Sequence, residues 1–226
     1  MTQQLESTEP RHDPLRVVIV DDHDLFRTGL RNLLEEQGIQ VVGEAAAGSD
    51  AVRSVRELAP DVVVMDLNMP GMTGVEATRQ ITGIAPLTRV LVLTISDQDS
   101  DVLDAILAGA CGYLLKDSSI QDLMAGIRAA SIGESLISPN IASKVLQRVR
   151  STSSVSAIAE TIRAELSDRE IQVLKLIANG KDNAMIAGEL HISPKTVKNH
   201  ISNILMKLQI DNRIQAAVYA VKSGIV

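Results

Sequence analysis

Short apolar stretches alternate with amphipathic ones along residues 15–133 of the chain. Short, mainly apolar segments predict strands at 15–20, 39–44, 62–65, 89–94 and 112–116, and the continuous β-branched run at 62–64 predicts that the third is fully buried. Each run is followed by a segment whose apolar residues recur every three or four positions, which predicts helices at 26–37, 49–58, 75–84, 102–107 and 120–132. Five strand-helix units of similar length indicate a doubly wound α/β domain with a parallel sheet and right-handed crossovers.

The pattern changes after residue 166, where helical periodicity continues without strands. Helices are predicted at 168–178, 183–190, 194–208 and 213–223. Ser167 and Glu170 have the spacing of a capping box, and Ser193-Pro194 supplies an N-cap and a first-turn proline for the third of these helices. The apolar residues of that helix fall within about 100° of arc, which leaves its opposite face polar. We therefore expect a small all-α domain here.

Two segments follow neither pattern. Residues 1–14 are polar and contain two prolines, which favours a disordered leader. Residues 134–165 are predicted to hold a helix from about Ser138 to Val149, followed by a flexible, serine-rich linker at 151–157. The predicted order is therefore a leader, an α/β domain at 15–133, a helix and linker at 134–165, and an all-α domain at 166–226.

Composition narrows the classes of function. The net charge is −6, yet residues 167–226 carry eight basic and five acidic side chains, so this part suits a polyanionic partner. The single cysteine, Cys111, excludes an internal disulfide and a multi-cysteine metal site. No apolar run approaches the ~20 residues of a membrane span. We therefore expect no membrane insertion and a cytoplasmic location.

Polar side chains occur where the predicted strands end. Asp21 and Asp22 follow the first strand, Asp66 follows the third, Thr94 ends the fourth, and Lys116 ends the fifth. Ligands bind at the carboxyl ends of the strands in sheets of this kind. Three crowded carboxylates repel one another unless a divalent cation lies among them, and hard oxygen ligands favour Mg²⁺.

This set of residues suits phosphoryl chemistry on a carboxylate. Asp66 would attack phosphorus as a nucleophile and form an aspartyl phosphate. Lys116 and the metal would offset charge on the transferring oxygens, and Thr94 would hydrogen-bond one of them. Two alternatives remain at this point: Asp66 merely caps the following loop, or Lys116 pairs with an acid in a structural network where nothing reacts.

These motifs resemble those of bacterial two-component response regulators of the NarL/FixJ type. Residues 15 to about 133 resemble a receiver domain, and the matching positions are Asp21-Asp22, Asp66-Leu67-Asn68-Met69-Pro70-Gly71, Thr94 and Lys116. Residues 166–226 resemble a LuxR-type helix-turn-helix output domain through three stretches: Leu166-Ser167-Asp168-Arg169-Glu170, Ile192 to His200, and Asn212-Arg213-Ile214-Gln215-Ala216-Ala217. The resemblance implies a flavodoxin-like receiver fold followed by a DNA-binding domain.

The resemblance also implies roles at the acidic edge. Asp66 would be the phosphoacceptor, and Lys116 would contact the phosphoryl group. Mg²⁺ would be bound by Asp66, by Asp22 directly, by Asp21 mainly through water, and by the backbone carbonyl of Asn68.

A switch is implied on the same basis. Thr94 would swing toward the phosphoryl group, and Tyr113 would move inward behind it, which would reshape the face formed by the fourth helix and the fifth strand. The alternative for Tyr113 is a half-buried aromatic residue that does not move.

The long helix of the output half would enter the major groove of double-stranded DNA by its N-terminal part. Lys198, Asn199 and Ser202 are the candidates for base edges, because lysine suits guanine and asparagine suits adenine. The candidates for phosphate contacts are Lys195, Thr196, His200, Asn203 and Lys207. Packing beside the apolar stripe is an equal alternative for His200. Regulators of this type bind two half-sites as homodimers, which implies contacts through the final helix.

The leading hypothesis is a phosphorylation-switched transcription factor that is partnered by a sensor histidine kinase and is not a turnover enzyme. A second hypothesis is a regulator whose DNA binding is independent of receiver phosphorylation. A third is a phosphohydrolase with Asp66 as its nucleophile. Such enzymes need a second acid two residues further on for the leaving group, and position 68 is asparagine.

Overall fold

The computed structural model describes residues 14–96, 98–134 and 166–226. The strands are β1 Arg16–Val20, β2 Gln40–Ala45, β3 Val62–Met65, β4 Arg89–Thr94 and β5 Gly112–Leu115. The helices that accompany them are α1 Asp24–Glu36, α2 Gly48–Leu58, α3 Gly74–Ile84, α4 Asp99–Leu107 and α5 Ile120–Ser131. All strand pairs are parallel, and their order across the sheet is β2-β1-β3-β4-β5. The predicted doubly wound α/β fold is confirmed.

The sheet is buried on both faces because apolar residues at successive strand positions point to opposite sides. Ile19 and Val64 belong to a core cluster that includes residues of α1 and α5. Val18 and Val63 belong to a second cluster with residues of α2 and α3. A sheet covered in this way leaves its carboxyl edge as the place where polar side chains can meet a ligand.

The register of the strands aligns the carboxyl ends of the sheet. Val20 pairs with Met65 in the neighbouring strands β1 and β3, so the next residues, Asp21 and Asp66, lie side by side. The last residues of β4 and β5 also pair with each other, which brings Lys116 to the same edge.

Gly74 lets the chain pass close to the end of β3. A side-chain carbon at this position would lie 2.0 Å from the carbonyl oxygen of Asp66, so only glycine fits. Thr73, directly before it, caps α3 and forms a capping box with Glu76. The loop that follows Asp66 is therefore anchored at its far end, which fixes the position of the carboxylate.

The second part of the chain contains four described helices. They are α6 Asp168–Ala178, α7 Asn183–Leu190, α8 Pro194–Leu208 and α9 Arg213–Lys222. The predicted capping box of Ser167 and Glu170 is present, and Ser193 accepts a hydrogen bond from the backbone N–H of Thr196. His191 ends α7 in the left-handed conformation, which turns the chain toward α8. The predicted all-α domain is confirmed.

A few element ends differ from the predictions. β2 begins at Gln40 and not at Ile39, because the N–H of Ile39 bonds to the carbonyl of Leu34 and closes α1. α4 begins at Asp99, ahead of the predicted residue 102, because its polar first turn carries no apolar signal. The predicted helix at 138–149, the linker at 151–157 and residues 1–13 of the leader lie outside the described residues. Within the described ranges, no helix has the length and apolar character needed to cross a membrane.

Candidate functional site

Two buried carboxylates share one ammonium at the carboxyl edge of the sheet. Asp21 and Asp66 are each only 2% exposed. Lys116, directly after β5, places its Nζ 2.5 Å from Oδ2 of Asp21 and 2.8 Å from Oδ2 of Asp66. The structure therefore brings together three residues that the sequence assigned to one site.

The charges at this edge are unbalanced. Burial alone lowers the pKa of the Lys116 ammonium, but hydrogen bonds to Asp21 and Asp66 and the attraction of their charges raise it above its ordinary value. Lys116 therefore stays charged, yet it brings a single positive charge to the two buried carboxylates of Asp21 and Asp66. Because buried charges need compensation, the site suits a further cation.

One group of four side chains in the described part of the chain can hold a metal ion: Asp21, Asp22, His23 and Asp66, whose ligand atoms all lie within 4.8 Å of one another. Nδ1 of His23 lies 2.9 Å from Oδ1 of Asp22 and 3.1 Å from Oδ1 of Asp21. Three of the four donors are carboxylate oxygens, which fits the predicted Mg²⁺. Sequence reasoning missed His23, although its position directly after Asp22 was a usable signal.

The carboxylate of Asp66 is held in one orientation. Its Oδ1 accepts a hydrogen bond of 2.7 Å from the backbone N–H of Leu67, and the N–H of Asn68 lies 3.5 Å from the same oxygen. Its Oδ2 accepts the hydrogen bond from Lys116. Asn68 lies at the exposed rim of the pocket. Hydrogen bonds to both of its oxygens therefore orient the Asp66 carboxylate at the edge of the sheet.

The predicted switch residues Thr94 and Tyr113 are both fully buried and meet at Ser96. The N–H of Ser96 lies 3.4 Å from Oγ1 of Thr94, and the hydroxyl of Tyr113 donates to the carbonyl of Ser96 at 2.8 Å. The Ser96 hydroxyl also hydrogen-bonds Asp101 in α4. Tyr113 is thus fully buried and not half-buried, and its movement on phosphorylation stays a prediction. Sequence reasoning missed Ser96, because a lone serine in a loop carries no pattern.

Most of the DNA-contact candidates on α8 are exposed: Lys195, Lys198, Asn199, Ser202, Asn203 and Lys207, with Thr196 and His200 partly buried. Three candidates already have partners in the structure. Oγ1 of Thr196 lies 2.8 Å from Oγ of Ser193, and Nζ of Lys198 donates to the carbonyl of Ile132 at 3.2 Å. Nζ of Lys207 donates to Glu170 at 2.7 Å.

Lys207 is bound to the interior of the output half through this last contact. Burial raises the pKa of the Glu170 carboxyl, but hydrogen bonds from Lys207 and Ser167 outweigh that effect and hold the pKa below its ordinary value. A phosphate contact by Lys207 would therefore compete with its ion pair to the buried Glu170 carboxylate. Sequence reasoning assigned Glu170 to the cap of α6 and missed this second partner.

The two halves of the protein contact each other between α4 and α9. Nδ2 of Asn212 donates to the carbonyl of Ala110, and Nε2 of Gln215 donates to the carbonyl of Ile106, each at 3.0 Å. Both amide side chains are buried. Oδ1 of Asn212 also caps α9 by accepting from the N–H groups of Ile214 and Gln215. Apolar residues of α4 and α9 belong to one core cluster. Sequence reasoning did not predict this contact.

Comparison with known proteins identifies the class of this protein. The family model of the response regulator receiver domain matches residues 17–128, and that of the bacterial regulatory proteins of the luxR family matches residues 164–220. The chain belongs to the two-component response regulators that join a receiver domain to a LuxR-type DNA-binding domain. The resemblance drawn from the sequence is confirmed.

Individual relatives align along most of the chain. The transcriptional regulatory protein LiaR of Bacillus subtilis is 46% identical over 213 residues, which cover 94% of this chain and 99% of LiaR. The response regulator protein VraR of Staphylococcus aureus is 40% identical with the same coverage. Among solved structures, the response regulator ChrA of a heme-sensing two-component system is 37% identical with a TM-score of 0.52, covering 94% of this chain and 99% of ChrA. An RcsB–DNA complex is 26% identical with a TM-score of 0.54, covering 93% and 99%.

Proposed function

We propose that phosphorylation of Asp66 controls DNA binding by the output domain of this response regulator. The observation that carries the proposal is the geometry at the carboxyl edge of the sheet. There the buried Asp66 carboxylate is held by Lys116 beside the carboxylates of Asp21 and Asp22. A carboxylate in this position is a nucleophile with cationic support already in contact with it.

In the proposed step, an oxygen of Asp66 bonds to phosphorus as the bond between phosphorus and the donor breaks. The electron pair of the broken bond leaves with the donor, which we propose to be a phosphohistidine of a sensor histidine kinase. Asp21, Asp22, Asp66 and the carbonyl of Asn68 would hold Mg²⁺, which supplies positive charge to the phosphoryl oxygens. Lys116 supplies a second positive charge from the side of β5.

The signal would reach the output domain through a continuous set of contacts. Movement of Thr94 toward a phosphoryl group would disturb its contact with Ser96, which also holds Tyr113 and contacts α4. α4 in turn carries the Ile106 carbonyl that Gln215 binds. We infer that the phosphoryl group weakens the contact between α4 and α9, because a switch requires contacts that differ between its two states.

Separation of α9 from α4 would expose two surfaces at once: the predicted DNA-binding face of α8 and the surface of α9 itself. Lys198 on α8 now donates to the carbonyl of Ile132, so the contact between the halves includes the predicted DNA face. Once free, Lys198, Asn199 and Ser202 would reach base edges, and Lys195, Thr196, His200, Asn203 and Lys207 would reach phosphates. α9 would pair with its copy in a homodimer on two half-sites of double-stranded DNA. Binding to chromosomal DNA would place the protein in the cytoplasm.

The first test is the reaction of the protein with Mg²⁺ and a small acyl-phosphate donor, followed by intact mass. We expect one added phosphoryl group in the wild type and none in Asp66→Asn. The same samples are then examined for oligomeric state and for DNA binding. We expect the phosphorylated wild type to dimerise and to bind DNA more tightly, while Asp66→Asn does neither.

Two other outcomes would redirect the assignment. An adduct that leaves assembly and DNA binding unchanged would support a regulator whose output is independent of its receiver. The absence of an adduct with both the acyl phosphate and a phosphorylated histidine kinase would contradict the role of Asp66.

A further inference from the structure

The aromatic ring of Phe26 lies against the ammonium that serves the acceptor carboxylate. Nζ of Lys116 is 4.5 Å from the centroid of the Phe26 ring. The face of an aromatic ring is electron-rich, and a cation within about 6 Å of the centroid is attracted to it. The attraction is stronger when the cation is shielded from water, and the side chain of Lys116 is only 12% exposed.

Phe26 is fixed by the packing of α1. It lies in the first turn of this helix, is half-buried, and packs against the core cluster between the sheet and the helices α1 and α5. Leu30 and Leu34, which follow at four-residue intervals on the same face of the helix, are buried in that cluster. The ring therefore offers a fixed surface to the ammonium.

The carboxylates cannot fix the position of Lys116 throughout phosphoryl transfer. Nζ is now bonded to Asp21 and Asp66. Under the proposed function, these same carboxylates bind Mg²⁺, and one of them becomes esterified to phosphorus. Their hold on the ammonium must therefore change during the reaction. The contact with the Phe26 ring involves neither carboxylate, so it does not depend on those exchanges.

We propose that Phe26 is a positioning residue for phosphoryl transfer. The face of its ring holds the Lys116 ammonium beside the acceptor while the two carboxylates exchange partners. The proposal rests on the proposed function of Asp66. The ring takes part in none of the bonds that form or break, and it neither gains nor loses a proton.

The composition of the chain gives this proposal a direct test, because Phe26 is its single phenylalanine. Expression with mono-, di- or trifluorinated phenylalanine therefore alters one ring in the whole protein. Each fluorine withdraws electron density from the ring face but changes the size and the apolar character of the ring only slightly. We expect the rate of Asp66 phosphorylation by the acyl-phosphate donor to fall with each fluorine, by roughly two- to fivefold in total.

The matched control is Phe26→Leu, expressed with and without the trifluorinated amino acid. This variant contains no phenylalanine, so its two preparations must react at the same rate. Thermal unfolding supplies a second measurement that does not depend on phosphorylation. Fluorination should lower the unfolding midpoint of the wild type and leave that of Lys116→Met unchanged, because the attraction between the ring and the Lys116 ammonium is lost in that variant.

Two results would overturn the proposal. The first is a phosphorylation rate that does not depend on fluorination, which would leave Asp66 as the acceptor and the ring as apolar packing. The second is an equal shift of the unfolding midpoint in the wild type and in Lys116→Met. A failure of the unlabelled wild type to accept a phosphoryl group would instead count against the proposed function, and the unfolding comparison would still decide whether ring and ammonium interact.

Discussion

Lys116 holds two buried carboxylates with one ammonium, and its removal would leave both charges without their partner. Loss of one partner from a buried ion pair costs more than the intact pair contributes, because the remaining charge stays desolvated. At the scale of single residues, the stability of the acidic edge and its reactivity therefore depend on the same side chain.

We expect Lys116→Met to lower the free energy of unfolding by about 3 kcal/mol in the absence of divalent ions. Mg²⁺ should restore a large part of this loss, because it replaces the missing positive charge and binds the native state. Denaturant titrations with and without Mg²⁺ measure both effects. Lys175→Met, at an exposed lysine, is the control and should change the free energy by less than about 0.5 kcal/mol. A loss that Mg²⁺ does not reduce would count against a metal at this edge.

Lys198→Ala tests the assignment of a base contact on α8. If Lys198 binds a base edge, the variant should bind the specific site more weakly by about 1 to 3 kcal/mol and bind random DNA almost unchanged. Titrations of both DNA types at one salt concentration make the comparison. Equal losses on the two DNA types would show that Lys198 contacts phosphate instead.

At the scale of elements, Glu170 joins the start of α6 to the end of α8. Its carboxylate accepts from the N–H of Ser167 and from Nζ of Lys207. One side chain thus satisfies an otherwise unpaired donor at a helix start and fixes the position of the predicted recognition helix.

The ion pair between Glu170 and Lys207 predicts that the stability of the protein depends on pH. The pKa of Glu170 lies below its ordinary value of 4.5 in the folded protein, so its contribution to stability is present above pH 4.5 and is lost as the pH falls through the folded pKa. Glu170→Gln should lower the free energy of unfolding by about 1 to 2 kcal/mol at neutral pH and show a shallower decline below pH 4.5. Denaturant titrations across this range are the measurement. Glu189→Gln, at an exposed glutamate 3.5 Å from Lys181, should follow the wild type throughout.

The elements and the acidic edge were predictable because both depend on local sequence. A polar residue that directly follows an apolar run lies at the end of the strand that the run forms. The apolar run before Asp66 was therefore enough to place Asp66 at the carboxyl edge of the sheet. The contact of Phe26 with Lys116 joins α1, which packs against β1 and β2, to the residue that follows β5, and no local pattern encodes that distance. The bond between Glu170 and Lys207 likewise joins residues 37 positions apart in the chain.

At the scale of the whole molecule, Asn212 has two functions that a single substitution can separate. Its Oδ1 caps α9, while its Nδ2 donates to Ala110 of the receiver domain. Sequence analysis predicted neither function: it named Asn212 only within the stretch that resembles a LuxR-type domain, and buried contacts between domains leave no periodic signal.

Asn212→Asp keeps an acceptor for the cap and removes the donor, and it also sets a negative charge against a carbonyl oxygen. We expect α9 to stay folded while the domains separate, so that the unphosphorylated variant binds DNA more tightly than the unphosphorylated wild type. Circular dichroism, small-angle scattering and DNA titration report these three properties. Gln172→Glu makes the same change of amide to carboxylate at an exposed site and should behave as the wild type. Separated domains without a gain in DNA binding would show that this contact does not restrain the output.

One apolar cluster runs from α4 and β5 into α6, α8 and α9. Domains that share buried apolar surface lose their structure together on heating, whereas domains joined only by a linker melt independently. The unphosphorylated protein should therefore absorb heat in a single transition. If a phosphoryl group separates the domains, the phosphorylated protein should unfold in two transitions instead of one. Calorimetry of the purified protein would then distinguish phosphorylated from unphosphorylated Asp66 without DNA or a partner protein in the sample.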